Sequence, residues 1–177
     1  MHVKAKRVAT AGLLVALSVV FLILSSIIES SSLFFIVAAA FCVGIAIREW
    51  GRLWGLGFLI ASEALGFLLA PNKIYCITFA AVSIYILLYE CLWRWLADSE
   101  NVRNRNVWLW VGRYLIFNLL YVPTLLLAPG LLFVGKVNGI FIFVMLLLGQ
   151  VALPVFDLAY RYFQSHIWGK MRVKLME

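Results

Sequence analysis

Charged side chains are scarce, at 13% of the 177 residues, about half the share that a water-soluble domain carries. Stretches of about ten residues that alternate apolar and polar, the mark of a transmembrane β-barrel, are missing as well. The three cysteines, Cys42, Cys76 and Cys91, all lie in apolar segments at spacings that match no metal motif. They read as small buried hydrophobes without a disulfide. His2 and His166 stand near opposite ends of the chain, so no shared metal site is expected. No hydrolase, kinase, P-loop, zincin or Rossmann signature occurs, so neither an enzyme nor a cofactor is expected. The net charge of +7 comes without a cluster of Arg and Lys interleaved with aromatics, which excludes a nucleic-acid face. There is no repeat and no low-complexity tail.

What the sequence has is apolar residues, 65% of the chain, with a mean hydropathy of +1.02. A chain this apolar uses lipid as its main solvent, and in lipid each backbone N–H and C=O needs an internal partner. Continuous apolar runs then mean helices, about 20 residues for each crossing. Six spans are predicted, at 8–28, 33–47, 53–70, 74–96, 107–128 and 140–163, within a single transmembrane domain over 1–177. Leu13 to Ile28 resembles a signal-peptide core but has no small-residue cleavage site, and it reads as a retained first helix. The second span is short and crosses only by borrowing from Ser30–Ser32 or by thinning the bilayer.

Charge decides the orientation. With six spans and both termini in the cytoplasm, thirteen of the fifteen basic residues lie inside and only Lys73 and Lys136 lie outside, a strong positive-inside bias. Dropping the second span would expel Arg48 and Arg52 and split the terminal basic clusters between faces. The expected fold is therefore an all-α polytopic membrane bundle, N-in and C-in. One long hydrophilic connection, Ala97–Asn106, separates four spans from two. All seven tryptophans (Trp50, Trp54, Trp93, Trp95, Trp108, Trp110 and Trp168) fall at the inner headgroup level, where indoles anchor.

Polar residues inside the spans form two layers. Glu63, Asn118 and Gln150, from spans three, five and six, lie near mid-depth, where a carboxylate is expensive and marks a functional candidate. The same groups can also act as hydrogen-bonding glue between helices. Toward the cytoplasm, Glu90 with Arg94 and Asp157 with Arg161 have the acid-before-base spacing of intrahelical ion pairs. On the outer side, Glu29, Asn72, Lys73 and Asn138 stand where connections can close over a solute, and Tyr75 or Tyr121 can stack on a ring. Leu131–Val134, bounded by Gly130, Gly135 and Gly139, is too short to cross. It reads either as a re-entrant lid or as plain interfacial packing. In the first span Ala5, Ala9, Gly12 and Ala16 line one helical face, which suits close packing inside the bundle or docking of another membrane subunit. Gly51, Gly55, Gly57 and Ala61 give the third span a similar face, read as internal packing.

The first span, Lys6-Arg-Val-Ala-Thr-Ala-Gly-Leu-Leu-Val-Ala-Leu17, resembles the opening helix of the substrate-binding S components of energy-coupling-factor vitamin importers. The glycine-rich run Trp54-Gly-Leu-Gly-Phe-Leu-Ile-Ala-Ser-Glu-Ala-Leu-Gly-Phe-Leu-Leu-Ala-Pro71 resembles their third helix. The likeness covers spans one to four and is nearer to a branch of small clostridial-type membrane proteins than to any vitamin-specific member. It implies a bacterial cytoplasmic-membrane protein with a solute site near the outer face. It also implies a transmembrane coupling subunit docked on Ala5, Ala9, Gly12 and Ala16, where Gly12 departs from strict alanine, and ATPase subunits in trans. Proteins of this broad fold also serve outside transport, in envelope assemblies. A membrane scaffold or accessory subunit is therefore the alternative.

Overall fold

The computed structural model describes residues 2–99, 104–127 and 138–171. Among them there is no strand. The helices are α1 (His2–Ile27), α2 (Ser32–Trp50), α3 (Arg52–Leu69), α4 (Lys73–Asp98), α5 (Arg105–Leu127) and α6 (Gly139–Tyr162). All six are long and apolar enough to cross a membrane, so the chain is an all-α, multi-pass membrane protein. Leu53, Leu68 and Ile140 are 86%, 75% and 82% exposed, a surface suited to lipid. Leu131–Val134, Glu100, Arg103, Lys136, Arg172 and Lys174 lie outside the described residues.

The six expected spans recur with small shifts at their ends. The short second span reaches 22 residues, Glu29–Trp50, because a single 3₁₀ turn at Glu29–Ser31 leads into α2. There the Ser31 N–H donates to the Ile28 carbonyl at 3.1 Å. Relative to the expected 33–47, the span thus takes in the serines at one end and Arg48–Trp50 at the other. At the other end of the chain, α6 runs on into a wider π-helical stretch, Phe163–Trp168.

The helices fall into two compact units, Met1–Arg105 and Asn106–Glu177, the chain dividing within the hydrophilic stretch Ala97–Asn106. In the first unit α2 packs on α1, α3 and α4. Ala39 through Ile47 are all buried, and a helix apolar all round is one that is surrounded. Its alanines and glycine let neighbours come close. Ser18 Oγ of α1 donates to the Ala39 carbonyl at 3.3 Å, and Gly55 of α3 lies against Ile47. Gly51, at φ 96°, makes the turn from α2 to α3 in a region that side chains avoid. Asn72 caps α4 by accepting from the Ile74 N–H at 3.0 Å. Lys73 caps the C-terminus of α3, donating to the Ala70 carbonyl at 2.9 Å and also to the Phe67 carbonyl.

In the second unit α5 and α6 run antiparallel, as successive contacts show. Tyr121 Oη donates to the Met145 carbonyl at 2.8 Å, and its ring covers Gly149, where a Cβ would fall 2.4 Å from Tyr121 Cε1. Pro123 and Pro154 lie inside α5 and α6. Each removes one N–H from the helical ladder, which frees the carbonyls of Leu119 and Gln150.

Candidate functional site

Polar contacts join α5 to α6 in a seam. Asn118 and Gln150 bond in both directions: Gln150 Nε2 donates to Asn118 Oδ1 at 2.7 Å, and Asn118 Nδ2 donates to Gln150 Oε1 at 3.3 Å. Asn118 Nδ2 also donates to the Tyr114 carbonyl at 2.8 Å. Toward the Asn106 end of the seam, Arg113 Nη1 meets Asp157 Oδ2 at 3.2 Å, with side chains only 6% and 3% exposed. This corrects the intrahelical reading of Asp157. Its carboxylate pairs across to α5, while Arg161 Nε donates to the Asp157 backbone carbonyl at 3.3 Å. Gln150 and Asp157 stand at heptad spacing along one face of α6. Gln164, beyond α6 in the π-helical stretch, is buried with no hydrogen-bond partner among the described residues for either amide atom.

The same correction holds in the first unit. Glu90 takes Arg48 of α2 at 2.7 Å, and Arg94 donates to the Ile47 carbonyl at 2.8 Å, capping α2. For Arg113 and Asp157, both buried, the low dielectric between the helices strengthens the close contact, whereas a pair along one helix contributes only about 0.2–0.5 kcal/mol. Sequence reasoning missed both ion pairs. The signal for one was present: the antiparallel register that pairs Asn118 with Gln150 also carries Arg113 to Asp157.

Glu63 is half-buried on α3, with Oε2 buried, and neither it nor the buried Oγ of the adjacent Ser62 has a hydrogen-bond partner among the described residues. It belongs to the first unit, and Asn118 and Gln150 belong to the second. Of the other expected solute contacts, Glu29 is exposed in the 3₁₀ turn, and Asn72 and Lys73 are the helix caps already described. Tyr75 is half-buried in the first turn of α4, and Asn138 is exposed ahead of α6. Tyr121 is engaged, its ring stacked on Phe117 at 4.9 Å and its hydroxyl on Met145.

Ala5, Ala9, Gly12 and Ala16 are all exposed, and a Cβ at Gly12 would meet nothing within 4 Å. α1 packs instead through Leu14, Ser18, Val19, Leu22 and Ser25. The glycine face of α3 divides. Gly55 is buried against Ile47, as expected of internal packing, but a Cβ at Gly57 would meet nothing. Between α1 and α3 lies an open groove of about 410 Å³ that includes Gly12 and Gly57 and none of the expected solute contacts.

Among the described residues no three His, Cys, Asp or Glu side chains group closely enough to hold a metal, and all three cysteines are free thiols. Comparison with family models, curated proteins and solved structures finds no match to this chain.

Proposed function

We propose that this chain is a partner-docking membrane subunit, N-in and C-in in a bacterial cytoplasmic membrane, of the kind that binds a small vitamin-like solute for an energy-coupling-factor importer. The observation that carries the proposal is the exposed face Ala5, Ala9, Gly12 and Ala16, which the first unit leaves out of its own packing. Small residues let a second helix approach closely where lipid surrounds both. A transmembrane coupling subunit would dock there, and ATPase subunits would act in trans.

The test is co-purification from the native membrane. Ala9→Leu or Gly12→Leu should abolish recovery of a membrane partner and leave the isolated subunit folded in detergent. Partner recovery unchanged in both variants would end the docking claim.

A second reading, a scaffold without a solute, draws support from the seam. Asn118 and Gln150 bond to each other, and Tyr121 is bonded to backbone, as packing glue would be. Glu63 separates the two readings. In an importer subunit Glu63→Gln should weaken solute binding at least tenfold, about 1.4 kcal/mol, with unfolding unchanged. In a scaffold, native mass spectrometry of the gently extracted protein should find subunits and no retained solute.

A further inference from the structure

We propose that the groove between α1 and α3 holds one acyl chain of an anionic phospholipid, with the headgroup phosphate at the groove end nearest Arg7 and Arg52. This goes beyond the importer reading: the groove lies on the Val8, Ala11 and Val15 side of α1 and shares only Gly12 with the face Ala5, Ala9, Gly12 and Ala16.

The lining residues include Val8, Ala11, Val15, Leu53, Phe58 and Ala61, and no charged side chain among the described residues lines the groove. Its shape follows from residues with little or no side chain, since a Cβ at either Gly12 or Gly57 would enter open space. The α1 lining from Val8 to Val15 runs about 10 Å, a length that an extended stretch of one hydrocarbon chain can lie along.

Charge argues for the headgroup. α1 and α3 are parallel, each being joined to α2 by a tight turn. Leu22 lies against Gly66, so equal steps back along both helices set Val8 level with Arg52. Among the basic side chains described in the first unit, Arg48, Lys73, Arg94 and Arg105 bond to protein groups. The other three, Lys6, Arg7 and Arg52, are exposed and have no partner among the described residues. All three stand at this end of the groove: Arg7 precedes Val8, and Arg52 precedes Leu53. Trp50 and Trp54, with ring centroids 6.3 Å apart, border the same end, as indoles do at headgroup depth. Basic clefts between transmembrane helices are where anionic lipid headgroups bind.

The experiment is native mass spectrometry of the full chain in micelles supplied with equal phosphatidylglycerol and phosphatidylcholine. Retention of phosphatidylglycerol should exceed that of phosphatidylcholine at least fivefold. Gly57→Leu, which fills the groove, should lower phosphatidylglycerol to the phosphatidylcholine level. Arg7→Gln with Arg52→Gln should abolish the preference while some lipid of either kind remains. Should Gly57→Leu fail to fold, phosphatidylglycerol with a photoreactive acyl chain decides on the unaltered protein, and crosslinks should fall on 8–15 and 53–61. Equal retention of the two lipids, crosslinks elsewhere, or a protein subunit that occupies the groove and excludes lipid would overturn the proposal.

Discussion

Replacing Gly55 by alanine would set a Cβ 2.1 Å from Ile47 Cγ1 and 3.2 Å from Ile47 Cα. The near atom is not the far end of a flexible chain. It sits beside the backbone of α2, so α2 and α3 must part to admit the methyl. Overpacking of this sort costs about 1–3 kcal/mol, and alanine returns about 0.5–1 kcal/mol of helix preference. A net loss on the order of 1–2 kcal/mol is expected. Moving Ile47 also disturbs its carbonyl, which accepts from the Gly51 N–H at 2.9 Å and from Arg94 at 2.8 Å, so the loss should lie toward the upper end. Gly57→Ala, half a turn further along α3, meets nothing within 4 Å and should be neutral or slightly stabilising. Unfolding titrations in mixed micelles, followed by tryptophan fluorescence, compare the two variants directly. Gly55→Ala as stable as the parent, or Gly57→Ala as damaged as Gly55→Ala, would refute the packing argument.

Breaking the Arg113–Asp157 pair from one side, by Arg113→Gln or Asp157→Asn, should cost about 3–5 kcal/mol, because the remaining charge stays buried. The double variant should lose less than the sum, as a double-mutant cycle in the same titration would show. Asn118→Leu and Gln150→Leu should each cost about 0.6–1.7 kcal/mol and be less than additive when combined. Strict additivity would separate the two amides. Orientation is checked with an impermeant thiol reagent on intact cells expressing a chain without its native cysteines. Asn72→Cys should label and Ser99→Cys should not, and the reverse pattern would overturn the N-in, C-in topology.

Hydropathy along the chain determined the number, the approximate ends and the apolar character of all six helices, because each segment meets lipid on its own terms. It also marked Ala97–Asn106, where the two units divide, since a run with Asp98, Arg103 and Arg105 does not enter the hydrocarbon. Depth along a helix likewise gave Asn118 and Gln150 as potential neighbours. Partner choice was beyond its reach. Spacing within α4 and α6 offered Arg94 to Glu90 and Arg161 to Asp157, but the structure gives those acids Arg48 and Arg113. Four small residues on α1 were equally suited to an inner or an outer face, and Gly55 and Gly57 look alike in sequence. Which face is buried depends on how α1, α3 and α4 close around α2, and that is a packing problem in three dimensions. The tertiary structure alone turned Gly55 inward and left Ala5, Ala9, Gly12 and Ala16 exposed, because side-chain volumes on several helices must fit at once.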